Sequence, residues 1–310
     1  MTKWSTGDIP DQSQRTFLIT GANSGLGLES ARALVARGAT VLMACRDPER
    51  GEAAAIEVSH AGDGKAELIV LDLTDLASVH QAAQQARERT GDRLDVLINN
   101  AGVMATPLRR TAEGFEWQLA ANHLGHAVLT WLLMPALRTS PGARVVSVSS
   151  MLHERGGLDL DDLNFERRGY KRWAAYSQSK IANLLFAFEL DRRVRAAGLD
   201  LLSVAAHPGY SNTQLTTNMV RARGSERIAE IFGLLGGLFA QSAKAGALPQ
   251  LHAATAPGVN GGEFYGPDGL REMRGHPKLV RASKQANDPE AAARLWRLTA
   301  DLTKVEPDPA

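Results

Sequence analysis

Six short apolar runs punctuate the first two thirds of the chain, at Thr16 to Thr20, Thr40 to Ala44, Ala66 to Leu71, Leu94 to Ile98, Arg144 to Val148 and Leu201 to Ala206. Between them lie Leu26 to Arg37, Pro48 to Ser59, Leu76 to Glu88, Glu116 to Leu137 and Trp173 to Arg195, each of helical length and with helical apolar spacing. Strand-length apolar runs alternating with helix-length stretches are the rhythm of a parallel sheet with helical crossovers, because such strands are covered on both faces. The consistent assembly is an α/β doubly wound parallel sheet flanked by helices. After Ala206 the rhythm breaks. Residues 209–243 hold polar turns, an Arg-rich patch and the apolar run Ile231 to Ala240, and they read as an insertion covering the site. A last short strand is expected at Gly262 to Tyr265, and a terminal helix at Pro289 to Thr303.

Composition narrows the class. At 310 residues and 44% hydrophobic content, one large domain spanning 1–310 is expected rather than two independent ones. Thirty-five basic against thirty-four acidic residues leave a formal charge of +1, with no basic block of the kind that binds nucleic acid or anionic membrane. The single cysteine, Cys45, excludes an internal disulfide and a multi-cysteine metal site. It suits a reducing compartment, so a cytoplasmic location is expected. The N-terminal stretch lacks an apolar signal core, and Ile231 to Ala240 is too short to span a bilayer. His123, His126 and His153 have no metal-ligand spacing, so core or surface roles and no metal are expected.

The chemistry begins at the first strand. Thr20-Gly21-Ala22-Asn23-Ser24-Gly25-Leu26-Gly27 follows it and opens the first helix, where backbone N–H groups and the helix dipole meet a pyrophosphate. The spacing is G-x-x-x-G-x-G, an approximate form of the dinucleotide fingerprint on a Rossmann-type sheet. Gly21, Asn23, Ser24, Gly25, Leu26 and Gly27 are therefore cofactor candidates; an ordinary glycine-rich turn is the alternative. At the end of the second strand an acid selects NAD, whereas an arginine accommodates a 2′-phosphate. Here Ala44 or Cys45 takes the acid position and Arg46 follows, so NADP(H) is preferred and NAD(H) is the lesser expectation. Arg46 also reads as a solvated charge, and Asp47 as the N-cap before Pro48. Asp72 and the Leu73 amide end the third strand where they bracket an adenine ring, although Asp72, Thr74 and Asp75 also lie where a helix N-cap is needed. Asn99, Ala101 and Gly102, in Asn99-Asn100-Ala101-Gly102, end the fourth strand with small residues that leave room for the cofactor.

Tyr176 and Lys180 stand four residues apart in a segment, Arg172 to Val194, whose pattern reads as an amphipathic helix, so they share one face. A phenol loses its proton near pH 10, and works as an acid or base near neutrality only where positive charge stabilises the phenolate. Lys180 supplies that charge in this reading.

T-G-x-x-x-G-x-G at 20–27, N-N-A-G at 99–102, Asn122, S-V-S-S at 147–150, Y-x-x-x-K at 176–180 and H-P-G at 207–209 occur together and in order. In these the chain resembles the short-chain dehydrogenase/reductase family, in its retinol-dehydrogenase-like branch, strongly over residues 14–210. The resemblance implies a catalytic group of Asn122, Ser150, Tyr176 and Lys180. Ser150 orients a substrate carbonyl, Tyr176 protonates the developing alkoxide, and Lys180 lowers the tyrosine pKa and binds nicotinamide-ribose hydroxyls. The Asn122 backbone holds a water that connects Lys180 to solvent. Pro208, Gly209 and Thr213 match the segment that wraps the nicotinamide, where Tyr210 also helps fix the carboxamide. Ser149 competes with Ser150, since alternation lets only one face the cleft. The expected activity is hydride transfer between NADP(H) and a carbonyl or alcohol of a small, lipophilic molecule, its apolar character read from Met151, Leu152, Trp173 and the 209–243 lid. Homo-oligomers built on the two long helices are usual in the family, and the extended C-terminal half is positioned to block one such surface. Two other readings exist: an NADPH-binding redox sensor or scaffold, and a relative of the light-dependent protochlorophyllide reductases, which use cysteines this chain lacks.

Overall fold

A computed structural model of the chain describes residues 3–211 and 241–309. Thr213 and most of the 209–243 insertion lie outside the described residues. Alternation along each strand builds two apolar layers. In β1 (Thr16–Thr20), Phe17 and Ile19 enter one layer and Leu18 the other. β2 (Thr40–Cys45) repeats this with Val41 and Met43 against Leu42 and Ala44.

With β3 (Lys65–Val70), β4 (Val96–Asn99), β5 (Ala143–Val148), β6 (Leu201–Ala206), β7 (Phe264–Pro267) and β8 (Pro277–Leu279), these strands form one eight-stranded sheet. Its order is β3-β2-β1-β4-β5-β6-β7-β8, parallel except for the antiparallel β7–β8 pair. The chain leaves β3 at one edge and returns at β4 beside β1, with Phe17 opposite Val96 and Ile19 opposite Ile98. The order reverses there, and a crevice opens at the carboxyl ends of β1 and β4.

Helices α1 (Gly25–Val35) and α2 (Pro48–Ser59) cover one face, and α3 (Leu76–Thr90) lies on the other. The expected helix Glu116 to Leu137 is not continuous. A turn, α4 (Trp117–Leu119), passes into a π segment, Ala120–Leu124, before α5 (Gly125–Arg138) begins. The Gly125 amide donates five residues back to the Ala120 carbonyl, the wider spacing that defines a π turn. α6 (Arg172–Ala196) also departs from the amphipathic expectation, being buried from Ala175 to Ala187. Its polar residues find protein partners instead of water: Asn183 donates to the Val148 carbonyl, Gln178 to Leu163 and Ser179 to Tyr176.

Beyond the undescribed stretch come α7 (Ala243–Gly246), α8 (Leu248–Thr255) and α9 (Pro289–Thr303). The last expected strand sits two residues later than its pattern indicates, at β7, and β8 and α8 have no counterpart in the sequence reading. α8 is buried along nearly its whole length and so lacks a polar face to give it periodicity, and a three-residue edge strand carries too few positions to show alternation.

α9 closes the structure over the surface offered above as a subunit contact. Its Trp296, 2% exposed, stacks on Phe186 of α6 at 5.2 Å and meets Trp131 of α5 edge-on at 5.1 Å. His123 in the π segment shares a 2.9 Å hydrogen bond with Thr299 of α9, and burial pushes its pKa down to about 3, so it is neutral. Trp296→Ala is expected to cost about 3–5 kcal/mol of stability, read as a lowered urea midpoint. A change within half a kilocalorie would show that α9 is a detachable tail.

Candidate active site

Thr20 ends β1 and Gly25 opens α1, and the turn between them survives only because of its glycines. Gly21 has φ +67°, and a Cβ there would lie 3.0 Å from the Ala101 main chain. A Cβ on Gly27 would lie 2.4 Å from the Gly21 carbonyl oxygen. Ser24 is the N-cap residue of α1, yet its side chain makes no capping bond, so it leaves the first amides of the helix to other partners. This is an anion-ready helix end.

The turn forms one wall of a crevice of about 460 Å³ that runs from the end of β2 to the segment after β4. Gly21, Asn23, Ser24, Gly25, Leu26, Arg46, Asp72, Leu73, Ala101 and Gly102 line it, joined by Asn100, Met104, Ala105, Pro107 and Trp117. The glycine cradle, the uncapped helix start and the length of the crevice fit a dinucleotide. Other expected residues lie elsewhere. Gly27 packs behind the turn, Asn99 donates its amide to Thr130 at 3.0 Å, and Pro208 and Gly209 lie beyond β6, where Gly209 packs on Met273 and Pro267.

At the β2 end, Asp47 accepts from the Arg50 amide at 3.1 Å and caps α2, while Arg46 stays exposed on the crevice wall. At the β3 end, Asp75 caps α3 by accepting from Ala77 and Ser78. Asp72 is thereby spared for the crevice, held by the Thr74 amide and hydroxyl at 2.9 and 2.7 Å. Burial pushes the Cys45 thiol up to about 11, so it stays protonated and unreactive.

Asn122, Ser150, Tyr176 and Lys180 meet on the far side of Gly102. The Lys180 ammonium, on a residue 4% exposed, donates to the Val148 carbonyl at 3.1 Å, and burial pushes its pKa down to about 8. It lies 5.9 Å from the centre of the Tyr176 ring. Burial pushes the Tyr176 phenol up, and a hydrogen bond with Ser150 works against that rise. The Ser150 hydrogen bond thus acts in the direction that the resemblance assigns to Lys180. Ser149 faces the other way and donates to the Lys180 carbonyl at 2.8 Å. The Asn122 carboxamide accepts from the Val103 amide at 2.8 Å and donates to its carbonyl at 3.0 Å and to the Ser179 hydroxyl at 2.9 Å. It thus ties the crevice wall to α6. A Cβ on Gly102 would approach Asn122 Oδ1 to 3.1 Å and Lys180 Nζ to 3.4 Å, so the crevice and the reacting cluster share that residue as a partition. Trp173, 42% exposed, stands edge-on to Tyr176 at 6.3 Å.

Several supporting residues escaped the sequence reading. The Thr20 hydroxyl accepts from the Asn100 and Ala101 amides, and Asn100 donates back to the Thr20 carbonyl at 2.8 Å, which locks β1 to the segment after β4. Asn183 shares the Val148 carbonyl with Lys180, and its i+3 position on the same helix face was a legible signal. The Val148 carbonyl was not, because a main-chain acceptor carries no residue type.

Comparison with known proteins agrees with this geometry. The short chain dehydrogenase family model matches residues 15–224. Human retinol dehydrogenase 13 is 37% identical over 299 residues, covering 94% of this chain and 85% of that protein, and human retinol dehydrogenase 12 is 38% identical over 297 residues, covering 94% and 87%. The crystal structure of an uncharacterised protein from Mycobacterium paratuberculosis superposes with a TM-score of 0.81 at 45% identity, covering 98% of this chain and 99% of the other. With a glycine-cradled crevice on a doubly wound sheet and a Ser-Tyr-Lys cluster beside it, the chain belongs to the short-chain dehydrogenase/reductase family, in its retinol-dehydrogenase-like branch.

Proposed function

We propose that the protein is an NADP(H)-dependent oxidoreductase that moves a hydride between the cofactor and the carbonyl or alcohol carbon of a lipophilic small molecule. The observation that carries this is the single-residue partition at Gly102, which sets Asn122 and Lys180 of the reacting cluster directly against the crevice that fits a dinucleotide. When bound, the nicotinamide supplies the hydride in reduction and accepts it in oxidation.

In reduction, Tyr176 gives its phenolic proton to the substrate oxygen as the C=O π pair moves onto that oxygen; in oxidation it takes the proton back. Ser150, already bonded to the phenol, orients the same oxygen. Lys180 stabilises the phenolate that proton transfer leaves, and its ammonium would bind the ribose hydroxyls of a bound cofactor. Asn122 holds Val103 and α6 in register, and its backbone serves proton resupply.

The NADP(H) preference is supported by Arg46 on the crevice wall, with the neighbouring Asp47 carboxylate occupied as a helix cap. The lipophilic substrate is supported by the exposed indole of Trp173 beside Tyr176, and by relatives whose names point to retinol as the first alcohol to offer. A cytoplasmic location belongs to the same proposal and rests on the lone, buried Cys45. Among the described residues no helix is long and apolar enough to cross a membrane.

Three measurements test this reading. Tyr176→Phe is expected to lower kcat by about 10²–10⁴-fold while NADPH still quenches protein fluorescence; undiminished turnover would remove the tyrosine from the chemistry. Arg46→Ala should weaken NADPH about tenfold to a hundredfold and leave NADH nearly untouched, and equal binding of the two by the parent protein would refute the cofactor preference. For the pH profile, reduction requires a protonated Tyr176 and a charged Lys180. Burial raises the first group and lowers the second to about 8, so Lys180 is the group lost first as pH rises. kcat/KM for reduction is therefore expected to fall through an alkaline limb near pH 8, and a profile flat across that range would contradict the assignment.

A further inference from the structure

His126 lies one turn beyond Asn122 on the inner side of α5, is 3% exposed, and has no part in the chemistry above. Both of its ring nitrogens are engaged. Nδ1 is 3.0 Å from the Asn122 carbonyl oxygen, and Nε2 is 2.8 Å from the Thr20 hydroxyl oxygen.

The partners fix the tautomer. A carbonyl oxygen only accepts, so Nδ1 carries the proton. The Thr20 oxygen already accepts from the Asn100 amide at 3.0 Å and the Ala101 amide at 2.9 Å, which uses both of its lone pairs. Its own hydrogen therefore goes to Nε2 at 2.8 Å, far better placed than the Ile98 carbonyl at 3.5 Å. A neutral ring with one donor and one acceptor satisfies every group. Burial pushes the His126 pKa down to about 4, and the positive charge of Lys180 works in the same direction, which keeps that ring neutral.

The chain of bonds joins two sites that the sequence holds far apart. At one end is the threonine that fastens the glycine turn of β1 to the Asn100 and Ala101 amides. At the other is the main chain of Asn122, within the π segment Ala120–Leu124, where the regular helical ladder is broken.

We propose that His126 is a positioning residue whose neutral imidazole, donating from Nδ1 to Asn122 and accepting at Nε2 from Thr20, links the cofactor cradle to the alignment of Asn122. This rests on the oxidoreductase reading for its kinetic consequence, but not for its hydrogen-bond geometry.

Two substitutions divide the imidazole between its ends. Glutamine places its carbonyl where Nε2 stands and keeps Thr20, while losing the donor to Asn122. Asparagine places its amide where Nδ1 stands and keeps Asn122, while losing Thr20. With the full chain, NADPH and a turned-over carbonyl substrate, His126→Gln is expected to lower kcat by about tenfold to a hundredfold, more than it changes the KM for NADPH. His126→Asn is expected to do the reverse, raising the KM for NADPH more than it lowers kcat. Equal changes in both constants for both variants, or a loss of thermal stability alone, would reduce His126 to a packing role and overturn the proposal. A second readout is independent of turnover. In ¹⁵N-labelled protein, with the resonance assigned by its disappearance in His126→Asn, the ring should be the Nδ1–H tautomer and should stay neutral through the range in which an ordinary histidine titrates. An Nε2–H tautomer, or titration at the ordinary histidine pH, would overturn the inference even if the enzyme were fully active. A parent protein without turnover but with the Nδ1–H signature would sink the oxidoreductase reading and leave the linkage standing.

Discussion

The Lys180 ammonium buried against the Val148 carbonyl is the interaction on which the rest of the structure depends. Removing a charged amine from water is costly unless donors and acceptors replace the lost hydration, and a hydrogen bond to a charged group returns only about 1.5–3 kcal/mol. The fold meets this demand by enclosing α6 from Ala175 to Ala187 and pairing its polar residues internally, with Asn183 beside Lys180 on the same carbonyl and Ser179 between Asn122 and Tyr176. The same enclosure brings Lys180 down to about 8 and pushes Tyr176 up. The burial on which the proposed proton transfer relies is thus also what makes the pair expensive to enclose.

That cost explains the outer shell. α9 has no contact with the proposed chemistry, yet its Trp296 stacks on Phe186 of α6 and its Thr299 bonds to His123 in the π segment. The helix that carries Tyr176 and the segment that carries Asn122 are both held from behind by the last turns of the chain. The last helix thus covers a face that α5 and α6 share.

The π segment serves a related purpose. One residue wider than an α turn, it breaks the ladder at Asn122 and lets that side chain pair with the Val103 main chain on the crevice wall. Three elements distant in sequence, the glycine turn, the segment after β4 and the start of α5, are then joined through Thr20, Asn122 and His126.

Much of this was legible in the chain before folding. Strand and helix periods are local, so the strands up to β6 and the crossover helices could be read from apolar spacing, as could the glycine turn and the placement of Tyr176 and Lys180 on one helical face. Asp47 could be named as the N-cap before Pro48, and the Arg50 amide on its carboxylate places it there. What tertiary structure alone decided involves either main-chain atoms or encirclement: the Val148 carbonyl under Lys180, the π turn at Asn122, and the burial of α6 from Ala175 to Ala187, whose polar residues suggested a wet face. A sequence records which side chains are present and how far apart they lie along the chain. Which carbonyl a buried amine will find, and whether a polar face meets water or protein, depends on contacts between segments a hundred residues apart, and those exist only once the layers have packed.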